Sequence, residues 1–158
     1  MKKVLSMILA LIMCLSLCAC GGTKLTAAEV NEALANCDGI LNLETSGNNV
    51  TGFTYVVEGV NAEYLVDKEY TREAIEAVLT GDTSQITFGQ IKVCKAIAPL
   101  MSIEALLSGD DDNFSSNAFI KKILSITCDG KTVEYDGWAV SVEVDHDNDS
   151  IIIKVVSK

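Results

Sequence analysis

Trp138-Ala-Val-Ser-Val-Glu-Val144 carries apolar side chains at its even positions and mostly small or polar ones at its odd positions. That period of two is what a strand with one dry face and one wetter face requires. The neighbouring stretches 126–135 and 151–156 are also rich in β-branched residues, and Asp129-Gly130, Asp136-Gly137 and residues 145–150 supply turns. The C-terminal part therefore reads as three or four antiparallel strands in a meander. Further toward the N-terminus, residues 40–44 and 50–58 form two more β-rich runs around Ser46-Gly47-Asn48-Asn49, a cluster of turn formers, and predict a hairpin.

Elsewhere the period changes to that of a helix. Thr26-Ala-Ala-Glu29 is a capping box, with Leu25 and Val30 placed as a hydrophobic staple, and it predicts a helix over 27–36. Cys37-Asp38-Gly39 marks its end, Gly39 being suited to a left-handed cap. Residues 62–67 fit either a strand or the approach to the next helix. From Thr71, read as a cap, Ala74, Ile75, Val78 and Leu79 recur at helical spacing, with Tyr70 and Ile75 as a second staple and Gly81 as the stop.

Thr87-Phe-Gly-Gln90 repeats the capping-box pattern and opens the most apolar segment, in which Ile91, Val93, Cys94, Ile97, Leu100, Ile103 and Leu107 surround nearly the whole helix circumference. Such a helix is expected to be buried. Pro99 lacks an amide proton and disfavours helix in its predecessor, which predicts a kink or a split there. Asp110, Asp111 and Asp112 precede a further helical stretch over 116–124, where their carboxylates suit the positive end of the helix dipole. The order is helix, hairpin, helices, meander, without strand-helix-strand alternation. It predicts an α+β fold with helices packed on one face of an antiparallel sheet: N-terminal helix plus hairpin, central helices and C-terminal β-meander.

The 158 residues include 12 Lys+Arg against 22 Asp+Glu, a formal charge of -10, 49% hydrophobic residues and one Pro. This much apolar content with so little Pro excludes disordered and collagen-like chains, and the acidic balance excludes a general nucleic-acid binder, which needs a basic face.

The N-terminus has a positive start, Lys2 and Lys3, followed by an apolar stretch over 4–17 broken only by Ser6, Cys14 and Ser16. That is the layout of a secretory signal. A membrane span needs roughly 20 apolar residues, and this stretch stops short at Gly21-Gly22. Leu17-Cys18-Ala19-Cys20 resembles the lipobox of bacterial membrane lipoproteins, a likeness that covers the first 20 residues. The resemblance implies that residues 1–19 are a signal peptide cut before Cys20, whose thiol carries a diacylglyceryl group. Residues 20–25 then form the lipidated end and a short tether, residues 26–158 a single α+β domain, and the protein sits on the outer face of the bacterial cytoplasmic membrane. Loss of the leader, with two lysines and no acids, leaves 139 residues and takes the charge from -10 to -12. A charged partner of such a domain is expected to be cationic.

Cys37, Cys94 and Cys128 remain after processing, an odd number that allows one internal disulfide at most. Cys-Asp-Gly occurs at 37–39 and again at 128–130, and equivalence of the two halves would make Cys37 and Cys128 the candidate pair. Asp38 and Asp129 beside those thiols disfavour the thiolate that catalysis needs, and Cys94 reads as core filling. The sequence holds no Gly-x-Ser-x-Gly elbow, no Gly-x-x-x-x-Gly-Lys loop and no His-Glu-x-x-His, and His146 is its single histidine.

Asp145, Asp147 and Asp149 occupy the first, third and fifth places of an EF-hand-like calcium loop, where alternate residues can turn hard oxygens inward. Ser150 replaces the glycine of the sharp turn and Val156 the bidentate Glu, so a plain hairpin turn stands beside the calcium reading. Phe53, Tyr55, Tyr64, Tyr70, Tyr135 and Trp138 fit either the core or a carbohydrate or peptide groove. The leading functional expectation is a lipid-anchored, non-catalytic binding or accessory module of the cell envelope, with membrane lipid through Cys20 and an envelope protein or small ligand as partners, no nucleic acid and no cofactor beyond the covalent lipid. The alternatives are a small envelope hydrolase using a carboxylate pair and a calcium-dependent adhesion module.

Overall fold

The computed structural model describes residues 24–81, 84, 86–108, 132–135 and 137–158. The leader, Cys20, the run Asp110 to Asp112, the expected helix over 116–124 and Cys128 lie outside these residues. The described elements are α1 (Ala27–Leu34), β1 (Ile40–Ser46), β2 (Asn49–Glu58), α2 (Ala62–Leu65), α3 (Lys68–Thr80), α4 (Phe88–Ser108), β3 (Thr132–Tyr135), β4 (Trp138–Asp145) and β5 (Ser150–Ser157). They form the expected α+β fold. One five-stranded antiparallel sheet in the order β1-β2-β5-β4-β3 joins the N-terminal hairpin to the C-terminal meander through β2 and β5.

Side chains alternate across that sheet. On the inner face Phe53, Tyr55 and Val57 of β2 meet Val155, Ile153 and Ile151 of β5, and Val140 and Val142 of β4 continue the rows. All of these are buried in one core with Val30 and Leu34 of α1, Leu65 of α2, Ala74 and Ile75 of α3, and Val93, Ile97 and Leu100 of α4. Burying a side chain of this size contributes roughly 1.5–3 kcal/mol, so the shared core binds the helical layer to the sheet.

The first capping box is present as read: Glu29 N donates to Thr26 Oγ1 at 3.4 Å, and Thr26 N donates to Glu29 Oε2 at 2.7 Å. Two hydrogen bonds donated by Thr26 to Glu29 Oε2, from its hydroxyl Oγ1 at 2.7 Å and then from its amide, hold the Glu29 carboxyl below its ordinary range. The second box is present too, with Gln90 N donating to Thr87 Oγ1 and Thr87 N to Gln90 Oε1.

Four local expectations are corrected. Gly39 is not a left-handed cap. Helix α1 ends at Leu34 with Ala35 still right-handed, and Gly39 instead lies where a Cβ would come within 2.6 Å of the Tyr55 ring. Thr71 does not start α3. Asp67 does, accepting from Glu69 N and Tyr70 N at 3.0 and 3.2 Å, while the buried Thr71 hydroxyl donates back to the Tyr64 and Leu65 carbonyls that end α2.

Pro99 does not split the apolar helix. Val93, Ala96 and Ile97 before it and Leu100, Ile103 and Leu107 after it are all buried, and that anchorage on both sides outweighs a local penalty of about 3 kcal/mol. Nor is α4 buried all round. Its buried residues follow one helical stripe, and Phe88 and Ile91 lie on the outside, 77% and 50% exposed. No helix among the described residues is long and apolar enough to cross a membrane.

Candidate functional site

Positions 52, 54, 56 and 58 of β2 and 150, 152, 154 and 156 of β5 build the second face of the sheet, with Ser150 itself buried, whereas Val50 at the start of β2 belongs to the core. Neither Val56 nor Ile152 belongs to the core or to the side chains packed against it. Cross-strand pairing orders this outer face into four ladders. Glu58, Ser150 and Asp145 form the first; Ile40, Val56, Ile152 and Glu143 the second; Asn42, Thr54, Lys154, Ser141 and Thr132 the third; Glu44, Gly52, Val156, Ala139 and Glu134 the fourth.

The second ladder is a continuous apolar row. Directly paired strands lie about 4.8 Å apart, so Ile40, Val56 and Ile152 stand side by side as cross-strand neighbours, and Glu143 takes the next place in the row. Ile40, on the edge strand, is 59% exposed. One ladder further along stand Glu58 and Asp145, and on the other side Lys154 projects between Thr54 and Ser141. An apolar strip with acid on two sides and a single cation on a third is thus displayed at one end of the sheet.

The turn at that end is made by the acidic loop. Asp145 Oδ1 accepts from the amides of Asp147 and Asn148, both at 3.1 Å, and Oδ2 accepts from Asn148 Nδ2 at 2.7 Å. Hydrogen bonding by the Asn148 side chain, then by its amide, holds the Asp145 carboxyl below the usual carboxylate range, with smaller help from the Asp147 amide and His146. Asp149 is left-handed, at φ 46°, and its Oδ1 accepts the Ala62 amide at 2.7 Å, while its carbonyl accepts the amides of Gly59 and Val60. Asp145 and Asp149 are therefore engaged in shaping the turn and in tying it to the start of α2. No group of three or more His, Cys, Asp and Glu side chains among the described residues is placed to hold a metal ion.

Asp149→Ala is expected to lower stability by about 1–2 kcal/mol, through loss of the Ala62 bond and of a residue type that tolerates the left-handed region. Asp149→Asn keeps both an acceptor and that tolerance. Denaturant melts of the two variants check this, and equal stability of Asp149→Ala and the parent would refute it.

The remaining candidates are dispersed. Cys37 Sγ lies 3.8 Å from Ser102 Oγ on α4, and the Cys37 carbonyl accepts a 2.8 Å hydrogen bond from Tyr55 Oη. Burial, and after it the nearby Cys37 and Asp38, push the Tyr55 hydroxyl up. Cys94, packed against the core, has its thiol pushed up by burial and stays neutral. The aromatic residues divide. Phe53, Tyr55 and Trp138 are core, Tyr70 and Tyr135 pack against it, and Tyr64 is 42% exposed with its ring stacked on Tyr70 at 4.3 Å.

Comparison with known protein families, characterised proteins and solved structures finds no match.

The residues of the outer apolar row were not singled out by the sequence. Ile151-Ile152-Ile153 shows no alternation, so the outward member of the three is hidden, and Val56-Val57 hides the outward valine in the same way. Glu58, Glu143 and Lys154, charged residues within or at the end of β-rich runs, are sequence signals that these strands have a solvent face, beside the alternation over 138–144.

Proposed function

We propose that this chain is a lipid-anchored extracytoplasmic lipoprotein, held through diacylglyceryl-Cys20 on the outer face of the bacterial cytoplasmic membrane, where it acts as a non-catalytic binding module. The observation that carries this reading is where the chain enters the fold. The Leu25 carbonyl accepts the Val50 amide at 2.8 Å, and Thr26 bridges Asn49, beside the β1–β2 turn. Four residues lie between Cys20 and Leu25, five backbone steps with a reach of at most about 18 Å.

The acidic and apolar end of the sheet is the opposite one. Along β2, from Asn49 to Glu58, the two ends are about 31 Å apart. Lipid on Cys20 therefore keeps the β1–β2 turn close to the bilayer, and a sheet standing off the surface carries its acidic end well beyond the Debye length of about 8 Å over which anionic headgroups repel it. The acidic end faces outward, open to a partner. The leader with its lipobox supplies the address, and the absence from the sequence of the common nucleophile, phosphate-loop and zinc-protease motifs supports binding over catalysis.

Expression in a bacterial host with labelled palmitate tests the anchor. The parent is expected to take up label, to fractionate with membranes and to begin at Cys20, while Cys20→Ala takes up none and retains residues 1–19. A parent product that keeps the leader, or whose Cys20 is unmodified by mass spectrometry, overturns the reading.

A further inference from the structure

We propose that the outer sheet face binds a cationic amphipathic polypeptide segment, whose apolar side chains seat on the row Ile40, Val56 and Ile152 and whose lysine or arginine groups meet Glu58, Glu143 and Asp145. The proposal rests on reading the chain as a binding module, but not on lipidation of Cys20.

The apolar row supplies the seat. Three branched side chains stand side by side on paired strands, outside the core, and the outermost, Ile40, is more than half exposed. Water released from such a row on contact favours any apolar partner, so the row alone does not select one. Selection comes from the rim. Glu58 and Glu143 are exposed, and their carboxylates make no hydrogen bond or ion pair with another described residue. Asp145 is kept ionised by its own turn. An anionic or neutral partner covering the row would strip water from these carboxylates without replacing it, whereas guanidinium or ammonium groups flanking an apolar stretch replace that water with opposite charge.

The same electrostatics disfavour a second copy of this chain, whose charge is -10 and whose corresponding face is equally acidic. Lys154 adds direction. It sits one ladder from the apolar row on the side away from Glu58 and Asp145, so a bound segment orients with its cations toward the β4–β5 turn and its acceptors toward Lys154.

The test titrates the full chain, in a non-ionic detergent, with a fluorescent peptide of alternating leucine and lysine and with its leucine and glutamate counterpart. The lysine peptide is expected to bind and the glutamate peptide not. The double variant Glu58→Gln, Glu143→Gln, at two exposed positions that leave thermal melting unchanged, is expected to weaken the lysine peptide about five- to ten-fold, and high salt to weaken it further. Ile40→Ser is expected to weaken it also while leaving the salt dependence in place.

Equal binding of the two peptides overturns the proposal, as does unchanged affinity in the double variant. A third measurement asks whether the face is already occupied. Ile152→Cys is expected to react readily with a maleimide in the absence of peptide and slowly in its presence. A thiol blocked without peptide means that the chain itself or a second copy covers the row, and overturns the proposal. None of these outcomes depends on whether Cys20 carries lipid, so failure here and failure of the anchor are read separately.

Discussion

Replacing Gly39 by alanine is expected to cost about 3 kcal/mol or more, an effect out of proportion to one added methyl group. A Cβ at this position would lie 2.6 Å from Cε1 and Cζ of Tyr55 and 2.7 Å from the Val56 carbonyl oxygen. Tyr55 cannot swing aside, because it is 1% exposed, packed in the core and hydrogen-bonded through its hydroxyl to the Cys37 carbonyl. The Val56 carbonyl belongs to the β2 backbone, which pairs on both sides. Overpacking typically costs about 1–3 kcal/mol where side chains can yield, and here neither the Tyr55 ring nor the Val56 carbonyl can. Chemical denaturation reads the loss. Tyr55→Phe serves as a reference, since it removes only one hydrogen bond, worth about 1 kcal/mol. A Gly39→Ala variant as stable as Tyr55→Phe would show that the β1 entry is looser than described.

The second large effect is expected at Trp138. Trp138→Ala is predicted to lower stability by about 3–5 kcal/mol, the range for removing a large aromatic from a core that cannot collapse onto the space. The ring is 2% exposed, in the first position of β4, and its row continues into Val140 and Val142. Trp138 is the chain's single tryptophan, so its fluorescence reports the same environment. A blue-shifted emission that iodide does not quench, lost on unfolding, is expected. Quenching in the folded state, together with a small change in stability on substitution, would move Trp138 from the core to a ligand groove.

Much of the architecture was legible because local signals and burial agree. Thr26 and Glu29 cap α1 as their spacing implies, Thr87 and Gln90 cap α4, Gly47 turns the first hairpin with φ 63°, and Gly81 ends α3 in the left-handed region. Three of the misreadings share one cause, that tertiary contacts outweigh a local preference. Gly39 is required by the approach of Tyr55 and not by its own backbone angle. Pro99 stays in helix because the core holds it on both sides. Thr71 resembles a cap, yet its hydroxyl is used to close α2, and Asp67 was overlooked because it stands four residues earlier in a stretch without clear periodicity. The outer apolar row was hidden for a different reason: consecutive β-branched residues give the same pattern whichever of them faces outward.

Asp149 has a consequence for how this end of the protein opens. Through its carbonyl and carboxylate it receives the amides of Gly59, Val60 and Ala62, so a single residue of the β4–β5 turn secures the whole passage from sheet to helix. Fraying there is not two independent events. Release of the turn deprives three amides of their acceptor at once, and departure of the α2 segment leaves the turn without its brace, so protons on those amides should exchange with solvent at one common rate, as a single cooperative unit.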